Sequence, residues 1–300
     1  MRKFVSQTLG LHPRKWLVGI FSYSAFIGYI RPSLLQSTDA DYSFLRKVFS
    51  PGWRPKELTV PVGRRILAIS PHPDDESIGA GGLLWAHRGH AEIHIVLLTN
   101  GEREGRLSRE EPDEHVESRS QRIGEMRKAE LQETSRMLGV DSLHFLEMPD
   151  GEIPLSQNSA TALGDVIRQI KPDVIILPWF LDNHVDHRAA NVLLAMAGVE
   201  SGICILGYEV WTLLDPNAYF DIASHIDGKR RLVENNVSQL YDADFLGFVD
   251  CLAFVRGMQL GQRPASRGAK ALAEAFVALP SEVYCEIVKE VLSKQFPQAG

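Results

Sequence analysis

Apolar residues in this chain come as short unbroken runs separated by longer stretches of helical spacing. Ile66-Leu67-Ala68-Ile69, Ile95-Val96-Leu97-Leu98 and Val174-Ile175-Ile176-Leu177 are of strand length and end in Pro, Gly, Asn or polar residues. Runs without alternation read as strands buried on both faces. They predict strands over about 65–70, 93–99, 141–146, 173–177 and 203–211. Between them, Leu163, Val166, Ile167 and Ile170 have the i, i+3, i+4, i+7 spacing of a core-facing helix. Further helices are expected from Gly79 through Trp85, over 120–138 with Gly139 as a left-handed cap, over 188–199 and over 229–240. Strand–helix alternation implies right-handed βαβ units. The expected class is α/β: a Rossmann-like, three-layer fold with a mostly parallel sheet. Residues 243–295 read as a helical region packed over one edge.

The pattern changes at both ends of that core. Residues 1–60 read as an amino-terminal extension closed by the linker Pro51-Gly52-Trp53-Arg54-Pro55, which leaves 61–300 as the α/β domain. Within the extension, residues 16–30 are apolar and aromatic between Arg14-Lys15 and Arg31. That run is short of the roughly 20 residues a membrane span needs. It reads as a packing helix, with peripheral membrane contact at an interface as the other option. Residues 102–118 are charged and nearly free of large apolar side chains, as a surface loop or lid would be.

Composition narrows the class. With 44% apolar and 23% charged residues, the chain is an ordinary globular protein. A net charge of −6 argues against a nucleic-acid scaffold, which would usually carry a basic face. Cys204, Cys251 and Cys285 are odd in number and scattered, so they form no disulfide framework or zinc ribbon. Unpaired cysteines point to a reducing compartment: cytoplasmic, with membrane association if 16–30 meets an interface. A homo-oligomer is left open.

The chemistry sits at two strand ends. The first strand runs into Pro71-His72-Pro73-Asp74-Asp75-Glu76, and the fourth is followed by Asn183-His184-Val185-Asp186-His187. Parallel strands bring both clusters to one sheet edge, where open α/β sheets bind ligands. His72 and Asp75 within one turn, joined by His187 from far downstream, have the build of a catalytic zinc site with an open position. Nitrogen and oxygen ligands suit Zn²⁺, and also Fe²⁺ or another divalent ion. One of the adjacent Asp74 and Asp75 binds the metal and leaves the other to take a proton from activated water. One of His184 and His187 is left to stabilise an oxyanion, with Asp186 placed to orient one of them. Glu76 is expected to hold backbone or ligand groups in place. Gly79-Ala80-Gly81-Gly82 is no dinucleotide fingerprint, because Leu84 stands at the third glycine position. A nucleotide-dependent oxidoreductase is disfavoured on that ground.

Together, the His-Pro-Asp-Asp-Glu and His-Val-Asp-His motifs resemble those of the LmbE/PIG-L family of zinc-dependent sugar N-deacetylases, over about residues 63–280. The resemblance implies His72, Asp75 and His187 as zinc ligands, Asp74 as general base, and His184 as the oxyanion-stabilising group held by Asp186. It implies Arg127 and Asp150 as groups that hold sugar hydroxyls. Asp182 stands where some members carry a tyrosine, so a tyrosine assist is not expected. Lys229, Ser238-Gln239 and Ala273-Glu274-Ala275-Phe276 also resemble the family and receive no catalytic role. The activity implied is metal-dependent removal of an N-acetyl group from an N-acetylglucosamine-type sugar or glycoconjugate. An amidase acting on a larger acyl or thiol-sugar conjugate and a non-catalytic glycan-binding relative are the alternatives.

Overall fold

The computed structural model describes residues 55–103, 116–241, 243–259, 271–292 and 295. The expectations for 16–30, and for 104–115 of the charged stretch, fall outside them. Residues 54–300 form one compact unit. In chain order its elements are β1 (Lys56–Glu57), β2 (Arg65–Ser70), α1 (Asp75–His87), β3 (Glu92–Thr99), α2 (Val116–Leu138), β4 (Ser142–Met148), α3 (Gln157–Ile170) and β5 (Val174–Pro178). They continue with α4 (Val185–Met196), β6 (Cys204–Tyr208), β7 (Ala218–Asp221), α5 (Ile226–Glu234), α6 (Val237–Leu240), α7 (Phe245–Gln259), β8 (Ala273–Pro280) and α8 (Ser281–Val291).

Among the described residues, eight strands form one mixed sheet in the order β1-β7-β8-β6-β5-β2-β3-β4. Strands β6, β5, β2, β3 and β4 run parallel, while β8 lies antiparallel between β6 and β7. The carboxyl-terminal part is therefore not only helical: residues 273–280 enter the sheet itself. Their sequence, Ala-Glu-Ala-Phe-Val-Ala-Leu-Pro, is rich in helix formers, and pairing on both edges overrides that preference. The expected helix over 229–240 is likewise divided, into α5 and α6, at Asn235-Asn236.

The central strands are apolar throughout because both faces are covered. Ile66, Leu67, Ala68, Ile69, Ile175 and Ile176 are wholly buried, and each such Ile or Leu side chain contributes about 1.5–3 kcal/mol. Helix α3 buries Ala160, Leu163, Val166, Ile167 and Ile170, the stripe its spacing predicts. Its start is capped by Ser156 Oγ, which accepts the Ser159 N–H at 3.2 Å.

Topology then fixes where a site can form. From β2 the chain steps outward through β3 and β4, then returns to β5 on the other side of β2. The switch point lies between β2 and β5, and both strands are followed by His/Asp clusters.

Candidate active site

The turn after β2 is built to separate two adjacent carboxylates. Asp74 has φ 140°, a positive value that a non-glycine residue rarely adopts, and such backbone costs on the order of 1–3 kcal/mol. Its carbonyl starts α1 by accepting the Ser77 and Ile78 N–H groups, both at 2.9 Å. The Asp75 side chain turns back instead: Oδ2 accepts the His72 backbone N–H at 2.9 Å and lies 3.2 Å from His72 Nδ1. Asp75 Oδ1 lies 3.2 Å from His187 Nε2. The two motifs thus meet across the switch point on one carboxylate.

Each of these imidazoles is backed by carboxylate on its other nitrogen. His72 Nε2 lies 3.1 Å from Asp150 Oδ1 and 3.0 Å from Asp186 Oδ2. His187 Nδ1 lies 3.0 Å from Asp182 Oδ1. His184 completes a trio of rings, its centroid 4.7 Å from that of His72 and 4.8 Å from that of His187. Its Nδ1 accepts the Asp186 backbone N–H at 3.2 Å, which caps α4 and leaves Nε2 to carry the proton of the neutral ring.

The remaining expected residues fall around this cluster. The buried Arg127 donates from Nη1 to Gly101 O at 2.9 Å and from Nη2 to Pro73 O at 3.2 Å, with Nη2 3.4 Å from Asp74 Oδ2. Gly101 has φ +64°, a backbone conformation that favours glycine, and a Cβ there would crowd the Arg127 guanidinium. Asp150 Oδ2 accepts the Arg103 N–H at 2.8 Å, and its own N–H donates to Glu102 Oε1 at 3.1 Å. Asp150 therefore turns its carboxylate to His72 and the Arg103 amide. Asp186, expected to hold His184, turns its carboxylate to His72 and to the Gly151 N–H, 2.7 Å away. Glu76 accepts from the Ser70 and Ser77 hydroxyls, each at 2.8 Å.

Asp182, to which the sequence motifs alone assign no role, is part of this cluster. Its Oδ2 accepts the Trp211 and Thr212 N–H groups at 2.9 and 3.0 Å, and its Oδ1 accepts the His184 N–H at 3.0 Å while facing His187. The available signal was an acid two residues before the first histidine of the second cluster. Its partners come from the loop after β6, which periodicity does not place.

The electrostatics favour positive charge at this cluster. Burial opposes protonation of His187, but Asp75 and Asp182 outweigh it and push the imidazole up to about 9. Burial also opposes charge on His72, and Asp150, Asp186 and Asp75 override it, raising its pKa. Burial raises Asp74 to about 7 against the pull of Arg127, with Asp75 adding to the rise. Among the described residues, both His187 ring nitrogens, though close to carboxylates, lack an aligned hydrogen bond, and Asp186 Oδ1 has no partner. Buried polar atoms left so are costly unless another group completes them. Two overlapping sets, His72/His184/His187 and His72/Asp150/Asp186, each offer ligand atoms within 4.8 Å of one another. Such a nitrogen and oxygen donor set fits a divalent cation.

A mixed, mostly parallel α/β sheet with a buried His/Asp cluster at its switch point is the class this molecule belongs to. Within it, residues 67–197, which span β2 to α4 and carry both motifs, match the PIG-L family model, described as GlcNAc-PI de-N-acetylase. Diacetylchitobiose deacetylase of Thermococcus kodakarensis is 27% identical over 59% of this chain and 70% of its own length. A 1D-myo-inositol 2-acetamido-2-deoxy-alpha-D-glucopyranoside deacetylase of Thermomonospora curvata is 33% identical over 38% of this chain. The chain spans only 44% of that relative. The solved N,N'-diacetylchitobiose deacetylase of Pyrococcus horikoshii shares the fold, with a TM-score of 0.61 and 22% identity over 83% of this chain and 96% of that one.

Proposed function

We propose that this protein hydrolyses the acetamide of an N-acetylglucosamine-type sugar or glycoconjugate, giving acetate and a free amine. The supporting observation is the shared Asp75 carboxylate, with His72 Nδ1 and His187 Nε2 each 3.2 Å away and each ring backed by further carboxylate. His72, Asp75 and His187 would hold a divalent cation, with Zn²⁺ the first expectation from the ligand types. His184 is the weaker ligand candidate, because its Nδ1 already accepts a backbone N–H. When bound, the cation polarises the scissile carbonyl and acidifies water beside it.

The chain's own groups supply the proton transfers. Asp74 takes the proton from attacking water and returns it to the departing nitrogen. Arg127, 3.4 Å away, favours its ionised form. His184 offers Nε2–H to the carbonyl oxygen as it gains charge. Asp150 and Asp186 hold His72, and Asp182 holds His187, fixing ring orientation. Arg127 and Asp150 then act through Asp74 and His72, and direct contact with sugar hydroxyls is not needed to explain their burial. The relatives' deacetylase names support the acetamide as the bond cut.

The test is acetate release from N-acetylglucosamine and a panel of its glycosides by the full chain, with and without added Zn²⁺. Acetate that appears with the cation and stops with a chelator is expected. Cation-replete protein that releases no acetate from any N-acetyl sugar would overturn the reading.

A further inference from the structure

Helix α1 is broken at Ala80, whose φ −134° and ψ 17° are not helical. At that break the ladder partners would be the Gly82 N–H and the Ile78 carbonyl, four residues apart. Instead the Gly82 N–H donates to Glu274 Oε1 at 2.7 Å, and Ile78 O accepts from Lys229 Nζ at 2.7 Å. Lys229 Nζ donates to the same Glu274 Oε1 at 2.6 Å, and Glu274 Oε2 accepts the Leu83 N–H at 2.8 Å. Lys229 and Glu274 are 3% and 4% exposed, so water contributes little to holding them. Gly82 makes room: a Cβ there would lie 3.1 Å from Glu274 Oε1 and 2.5 Å from an Ile222 methyl. A helix kinks where a side chain enters its ladder. Here two side chains from α5 and β8 enter as one ion pair.

The first half of the broken helix, residues 75–79, begins with Asp75 and follows directly on Asp74. We propose that Lys229 and Glu274 are positioning residues: the ion pair sets the bend at Ala80 and so aims Asp74 and Asp75 into the site. Neither touches the reacting atoms. The inference rests on the proposed cation site for one of its two readouts.

The test uses the full chain with Glu274→Gln, which keeps an acceptor and removes the charge, and Lys229→Met beside it. Amide hydrogen exchange and divalent-cation affinity, measured with Zn²⁺ against a chromophoric chelator, are read together. The expected result is faster exchange confined to residues 77–83 and cation binding weaker on the order of tenfold, in protein with an unchanged circular dichroism spectrum. A folded variant that melts earlier but keeps either the wild-type exchange pattern or the wild-type affinity would overturn the proposal. Where Lys229→Met does not fold, Glu274→Gln decides. Wild-type protein that binds no cation would sink the proposed function, and exchange at 77–83 would then judge the bend alone.

Discussion

Asp182 Oδ1 and His187 Nδ1 face each other 3.0 Å apart, with both side chains fully buried. The carboxylate draws the ring's Nε2 toward Asp75 and is itself tied to the Trp211 and Thr212 amides. A substitution at 182 would therefore act on the proposed cation site through the His187 ring. Asp182→Asn is expected to weaken divalent-cation binding by about 10–100-fold. Chelator competition at neutral pH measures this, and an unchanged affinity would remove Asp182 from the site.

Asp74→Ala separates proton transfer from cation binding. Arg127 keeps the Gly101 and Pro73 carbonyls as partners, so the variant should fold. Acetate release is expected to fall by about 10²–10⁴-fold, with the cation retained at wild-type stoichiometry. A variant that turns over as fast as the wild type would end the assignment of Asp74 as base.

How much of this was legible beforehand differs between elements. Strand β2 and the two motifs could be read directly, because an unbroken apolar run ending in His, Pro and Asp has few other uses. Strand β8 was not, since Ala, Glu and Leu favour helix locally and its pairing on both edges is a long-range fact. The role of Asp182 was hidden for the same reason, because its partners lie 29 and 30 residues away. Lys229 and Glu274 could be flagged by resemblance, but their meeting at the Ala80 break required coordinates.

His87 gives the protein a pH dependence away from the site. It is buried at the end of α1, where Nδ1–H donates to Leu83 O at 2.7 Å and Nε2 accepts the Val62 N–H at 3.0 Å. Protonation would leave the first contact but abolish the second, because Nε2 accepts only in the neutral ring. Burial lowers its pKa below the ordinary 6.5, and His90 and His225 lower it further. Below pH 6.5 the unfolded ring takes up protons that the folded ring refuses. The stabilisation is thus complete above 6.5 and is lost as the pH falls through the folded value. Melting temperatures from pH 8 to pH 5 should fall less steeply in His87→Gln than in the wild type, and equal slopes would contradict this.

Arg256 and Glu209 hold the loop that reaches Asp182. Arg256 Nε donates to Glu209 Oε2 at 3.0 Å, Nη2 reaches both Glu209 Oε1 and Leu214 O, and Glu209 Oε1 accepts the Leu214 N–H at 2.8 Å. Arg256→Met leaves a buried carboxylate without its cation and is expected to cost about 3–5 kcal/mol. Urea denaturation measures it as a lowered midpoint with unchanged slope. A midpoint equal to the wild type's would mean that Glu209 reaches solvent.

The place of β8 bears on how the molecule is made. Every other strand of the sheet is synthesised before it, yet β6 and β7 are joined only through it. The carboxylate that caps the broken helix arrives on the same strand, 192 residues after the Gly82 amide it receives. A nascent chain can pair β2, β3, β4, β5 and β6 as they leave the ribosome. It cannot finish its sheet, or set the bend in α1, until that late strand has emerged and threaded between its neighbours.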